Sequence, residues 1–283
     1  MKKILTLIAF ICYSCNDYGQ TSYITKLPKT LQENSGLTTV SPDGLIWFVN
    51  DGGNKDHIYG VDLKGKIKRD IKIKNAKNVD WEDLSKDDQG NIYIGDFGNN
   101  ANYRKNLAIY KIPDPGNSSE NELEAEKIEF YFPEQKKFPP KKKGLFYDVE
   151  AFFYSNGHFY LFTRNRSSKF DGTSLCYKIP ATMGRHPAKL IGSIKTCDDY
   201  DICQITSADI SPDGKQAVLL SHDSVWVLSD FLNDDFTNGK LTRLPLGHTS
   251  QKESVSFLDA TTLLISDEEN HSSGRNLYSF KLK

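Results

Sequence analysis

The 283-residue chain carries 36 basic and 37 acidic side chains, a net charge of −1, so it lacks the basic excess of a nucleic-acid-binding surface. Aromatic residues make up 12% of it, which suits many short strands better than a helical bundle. At this length a single all-β domain can bury a full core.

Met1-Lys2-Lys3 followed by the apolar run Ile4 to Ile11 has the layout of a secretory leader. The run is too short for a permanent membrane span, and no later stretch approaches the ~20 apolar residues that one needs. Residues 1–19 are therefore read as a signal peptide and the protein as exported: periplasmic, cell-surface or secreted. Cleavage after Gly19 and lipidation at Cys15 are alternatives. Without the leader, Cys176, Cys197 and Cys203 remain. An exported protein can keep a disulfide, and Cys197 and Cys203, flanking a short polar loop, are the first choice. The alternative is three reduced, buried thiols. No Cys or His spacing suggests zinc.

From Ser22 to Lys283 the pattern is short strands broken by Gly, Asn, Asp and Pro, read as one domain, 22–283. Four units of four strands run from Gly36 to Ile73, Glu82 to Phe132, Glu150 to Ile194 and Thr206 to Leu244. A fifth, from Ser254 to Lys281, has three strands, and Ser22–Leu27 supplies its outer strand from the other end of the chain. Tandem four-stranded units closed this way form a β-propeller, which leaves only short edges. Five blades are counted. A sixth would need a unit within Gly116–Gly144, which is polar. Asn117–Glu126 and the lysine-rich Lys136–Gly144 read as insertions, the second as a solvated loop, with docking of an anionic partner the alternative.

Repeated motifs support the tandem reading. Asp80-x-Glu82 returns as Asp148-x-Glu150. Asp96-x2-Asn99-x4-Arg104 returns as Asp267-x2-Asn270-x4-Arg275, and the turn Ser41-Pro42-Asp43-Gly44 as Ser211-Pro212-Asp213-Gly214.

In each unit the first strand, innermost in a propeller, starts on the rim where the antiparallel second strand ends. That rim gathers Glu82, Glu150 and Glu253 at the channel mouth. Three like charges there must raise their pKa values, recruit arginines or bind a cation. Converging carboxylates and amides without a histidine cluster favour calcium. Asp51, Asp83, Asp96, Asn99, Arg164, His222 and Asp267 are the candidate ligand contacts on the same rim. Asp96–Arg104 and Asp267–Arg275 also read as ion-pair struts, and Asp80 and Asp148 as backbone acceptors where blades join. Trp81 should pack between blades. No catalytic residue is assigned: there is no Gly-x-Ser-x-Gly, phosphate loop or dinucleotide fingerprint.

Taken together, Glu33-Asn-Ser-Gly-Leu, Asn50-Asp51-x-Gly-Asn54, Asp80-Trp-Glu-Asp83, Gly95-Asp-x-Gly-Asn-Asn100, Asp148-x-Glu-Ala and Ile205-Thr-Ser-Ala-Asp209 resemble a family of secreted bacterial propellers. More distantly the chain is similar to the SMP-30/gluconolactonase propellers. That resemblance implies a divalent ion in the channel and adds Glu33, at the opening of the first blade, to the expected metal ligands. Three functions follow as expectations. The first is a monomeric propeller binding calcium and a small ligand or hydrolysable substrate. The others are a glycosidase-like hydrolase using channel carboxylates, and a non-catalytic module that binds a protein or glycan.

Overall fold

The structure is a computed structural model that describes residues 18–39 and 44–282. Residues 1–17 of the expected leader, with Cys15, and most of the turn Ser41-Pro42-Asp43-Gly44 lie outside the described residues. The described chain forms five antiparallel four-stranded blades, two of them extended by one extra strand.

Blade 1 comprises Asn34–Thr39, Ile46–Asn50, His57–Val61 and Ile67–Lys74. Blade 2 comprises Trp81–Lys86, Ile92–Asp96, Ala108–Ile112 and Glu126–Tyr131. Blade 3 comprises Asp148–Ser155, His158–Arg164, Thr173–Pro180 and Lys189–Lys195. Blade 4 comprises Ser207–Ile210, Ala217–Leu220, Ser224–Ser229 and Lys240–Pro245. Blade 5 comprises Lys252–Phe257, Thr262–Asp267 and Asn276–Lys281, completed by Ser22–Lys26 pairing antiparallel with the last of these. The two ends of the chain thus close the ring, as expected.

Burial explains the strand patterns. Inner strands such as Ile46–Asn50 and Ile92–Asp96 are buried along their whole length, because both faces meet neighbouring blades. The outer strand Ile67–Lys74 alternates in its second half, with Ile71 and Ile73 inward and the lysines in solvent. The apolar core is five clusters, one at each blade junction. Trp47, Val49 and Ile58 of blade 1 meet Ile92 and Ile94 of blade 2, with Trp81 fully buried among them. Trp81 therefore packs between blades.

Two features depart from the sequence reading. Within the insertion Asn117–Glu126, Glu122–Glu124 adds a parallel strand to the outer edge of blade 1. Gly184–Pro187 does the same for blade 2. Both cover edges that would otherwise be unpaired; Glu122–Glu124 alternates over only three residues, and Gly184–Pro187 does not alternate at all. Cys197 and Cys203 form a disulfide, and Cys176 is buried and reduced.

One irregularity recurs and positions the mouth. In four blades the innermost strand slips register near its start, so one extra residue opposes the second strand: Ser35, Glu82, Glu150 and Glu253. Such bulges re-aim a side chain. Blade 4 pairs without a slip.

Candidate functional site: an acidic channel mouth

All four bulge residues line one cavity of about 170 Å³ at the channel mouth. Asp51, Asn100, Arg164, Arg166, Gln251 and Glu268 complete its wall. The expectation that Glu82, Glu150 and Glu253 converge is met, but the three are held in different ways.

Glu150 is neutralised by arginines. Its carboxylate meets Arg164 Nη1 at 3.0 Å and Arg166 Nη2 at 2.8 Å. Burial alone would raise its pKa; the two guanidinium groups outweigh that and hold it below the usual range. Arg166 Nε also donates to Asp148 at 2.6 Å, and Asp148 accepts Asn99 N–H at 2.6 Å. Asp148 is thus the backbone acceptor between blades that the sequence suggests. Burial and the nearby Glu150 still raise its pKa to about 8. Glu253 lies 3.9 Å from Arg164 and 3.4 Å from His222 Nε2, while His222 Nδ1 contacts Asp201 O at 2.8 Å.

Glu82 differs. It is 6% exposed, and among the described residues no hydrogen-bond donor reaches its carboxylate. Carboxylate oxygens of Glu82, Asp51 and Asp80 all lie within 4.8 Å of one another. Burial, followed by repulsion from neighbouring acids, pushes Glu82 well above its ordinary value. Asp51 is raised to about 7 and Asp80 to about 6, in both cases chiefly by burial. Two glycines permit this crowding: a β-carbon on Gly98 would collide with Glu82 Oε1 and Asp80 Oδ2, and one on Gly52 with Asp80 Oδ1. The donor set is all oxygen, carries three negative charges when ionised, and has no internal counter-ion. It fits a hard divalent cation.

Several expectations need correction. Glu33 is exposed, accepts the Asn54 amide at 2.7 Å and lies outside the cavity lining, because the strand slip turns Ser35 inward instead. Asp80, read as structural, belongs to the acidic triad. Asp83, read as a ligand contact, is buried below the mouth and accepts hydrogen bonds from Ser207 and from Leu84, Phe152 and Ala208 N–H groups. Asp96 and Arg104 form the expected strut at 2.8 Å. Arg104 N–H donates to Asn99 Oδ1 at 2.9 Å, so Asn99 pins the same loop. The second copy of that motif does not repeat the bridge. Arg275 pairs with Glu269 at 3.3 Å, and Asp267 instead accepts Asn276 N–H and Tyr278 Oη–H. Asp267 is therefore a buried fold residue.

Sequence reasoning missed Ser35, Asn100, Arg166 and Gln251 at the mouth, whereas Glu268, at the end of a second strand, lies on the rim that strand polarity gathers. Glu268 accepts Gln251 Nε2 at 2.5 Å, and burial raises its pKa to about 8.

The sequence matches no protein-family model and no curated protein sequence. Among solved structures, the fold is similar to the PQQ-bound form of aldose sugar dehydrogenase from Streptomyces coelicolor. The TM-score is 0.53 at 9% identity, covering 93% of this chain and 98% of that one. A gluconolactonase from Xanthomonas campestris aligns with a TM-score of 0.44 at 12% identity, covering 84% of this chain and 69% of that one. At these identities the likeness concerns the propeller fold alone.

Proposed function

We propose that the channel mouth binds a divalent cation, calcium, through Asp51, Asp80 and Glu82, together with a small oxygen-bearing ligand seated against Gln251, Glu253 and Glu268. The observation that carries this reading is Glu82: a buried carboxylate with no donor, inside a triad that burial and mutual repulsion both disfavour. A cation would relieve that repulsion, and calcium accepts the flexible, all-oxygen coordination that three carboxylates from two blades can offer. When bound, the ion supplies Lewis-acid polarisation of a ligand carbonyl or phosphoryl oxygen. Glu268 holds a proton near neutral pH beside that position, and Gln251 fixes its orientation. Arg164 and Arg166 are occupied by Glu150, so they shape the wall rather than offering a free anion seat. The same pairing weighs against a glycosidase reading, which needs its channel carboxylates free. The leader points to export, where calcium is plentiful.

The test is metal analysis of the purified protein with melting curves in calcium, magnesium and EDTA. A rise in melting temperature with calcium, larger than with magnesium and abolished by EDTA, is expected. Identical melts in calcium and EDTA would contradict the proposal.

A further inference from the structure

A second cavity, of about 480 Å³, lies away from the mouth on the outer side of blade 2. Its floor is apolar: Leu107, Phe130 and Phe132, all buried. Its rim carries two exposed aromatic rings, Tyr131 at 39% and Phe138 at 38% exposure. Three exposed cations stand around that rim, Lys105, Lys136 and Arg185, and no carboxylate lines the cavity.

The fold assembles this site from three separate segments. Glu126–Tyr131 supplies the floor strand. The extra strand Gly184–Pro187 pairs parallel beside it and sets Arg185 at the edge, 4.9 Å from the Tyr131 ring. The basic insertion supplies Phe138, over which Lys105 Nζ stands at 4.8 Å. Gln135 Nε2 donates to Asn102 O at 2.7 Å and anchors the start of that insertion to the loop carrying Arg104 and Lys105.

We propose that this cavity binds a small amphipathic anion: one carboxylate or sulfonate group on an apolar chain or ring. The volume falls within the range of small-molecule sites, roughly 300–1,000 Å³. An apolar floor gives affinity for the tail, because burying it against Phe130 and Phe132 removes hydrocarbon from water. Charge selects the head. Among the described residues no ion pair engages Lys105, Lys136 or Arg185, so their attraction is available to a ligand. The fourth cation in the lining, Arg104, is already committed to Asp96 and to Gly98 O, and serves as wall. A neutral apolar compound would leave the rim cations without a partner, and an apolar cation would be repelled. The site is independent of the acidic triad.

The experiment is calorimetric titration with decanoate and with decyltrimethylammonium, which share a chain and differ in charge, below their micelle concentrations and in EDTA. Decanoate should bind one equivalent, about tenfold or more tighter than the cation. The double substitution Lys136→Glu, Arg185→Glu should weaken decanoate by about tenfold or more and strengthen the cation, with the calcium-dependent melt unchanged. Equal affinity for the two probes in wild type would overturn the proposal, as would decanoate binding that survives charge reversal. Should the double variant fail to fold, the comparison of probes on wild type decides alone.

Discussion

Ser207 of blade 4 donates a hydrogen bond of 3.0 Å to the carboxylate of Asp83 in blade 2, joining two blades that are not neighbours in the ring. The same Ser207 hydroxyl accepts Val255 N–H of blade 5, and Asp83 accepts Phe152 N–H of blade 3. One carboxylate and one hydroxyl therefore tie the inner strands of four blades together beneath the mouth. At that level side chains fill the channel, so the site above has a floor.

Asp83→Ala should thus behave as a fold variant. It strips the acceptor from three buried backbone N–H groups and a hydroxyl, and an unsatisfied buried donor costs about 1–3 kcal/mol. Urea unfolding should show a loss on the order of 3–5 kcal/mol, while the folded fraction keeps its calcium response. Wild-type stability with no calcium response would return Asp83 to the site.

The two arginines of the repeated motif should separate. Arg104 is buried against Asp96 and bonds Gly98 O, so Arg104→Met leaves a buried carboxylate unpaired, at about 3–5 kcal/mol. Arg275 pairs with the half-buried Glu269, and Arg275→Met should cost about 1 kcal/mol. Equal losses by chemical denaturation would show that the second bridge matters as much as the first.

Those arginines also mark how far the sequence could be read. Spacing revealed the repeat units, the borrowed closing strand and the convergence of Glu82, Glu150 and Glu253, because chain order and strand polarity determine which ends share a rim. Spacing did not reveal backbone conformation. His271, Gly274 and Arg275 all adopt left-handed φ values, which carries Arg275 away from Asp267 although the motif matches residue for residue. Arg166 escaped notice because it lies beyond the end of its strand, two residues after Arg164. Asp80 escaped because its partner Asp51 comes from another blade, and only the close approach at Gly98 and Gly52 brings the acids together. Sequence hints existed in Gly98 and in the Arg164-x-Arg166 pair, both on the rim already identified.

Gly98→Ala tests that close approach. Its β-carbon would displace Glu82 Oε1 and Asp80 Oδ2, which are side-chain ends able to move, so the fold should survive. Calcium affinity should fall by about tenfold or more in a titration followed by melting. Wild-type affinity would place the ion elsewhere.

Lys252 gives a pH signature. It is fully buried, with Nζ donating to His248 O at 2.8 Å and Ser250 Oγ at 3.0 Å, and burial lowers its pKa from 10.5 to about 8. Between those values the unfolded chain holds more protons than the folded one, so stability rises with pH across that window. Relative to Lys252→Met, in which other groups titrate alike, wild type should gain about 3 kcal/mol from pH 8 to 10.5. A stability difference between the two proteins that is flat with pH would show that Lys252 is not buried as a charge.

The cation proposed at the mouth rests on Glu82 and not on Glu150, and calcium melts of wild type, Glu82→Gln and Glu150→Gln separate the two. Calcium at a hundredfold excess over its dissociation constant should stabilise wild type by about 2.7 kcal/mol. Glu82→Gln should melt higher than wild type without calcium, because one of three crowded charges is gone, and should lose most of the calcium-dependent rise. Glu150→Gln should melt lower with and without calcium, because Arg164 and Arg166 lose their shared partner. A Glu82→Gln variant that keeps the full calcium rise, or that melts lower by the same amount in calcium and in EDTA, would remove Glu82 from the cation site.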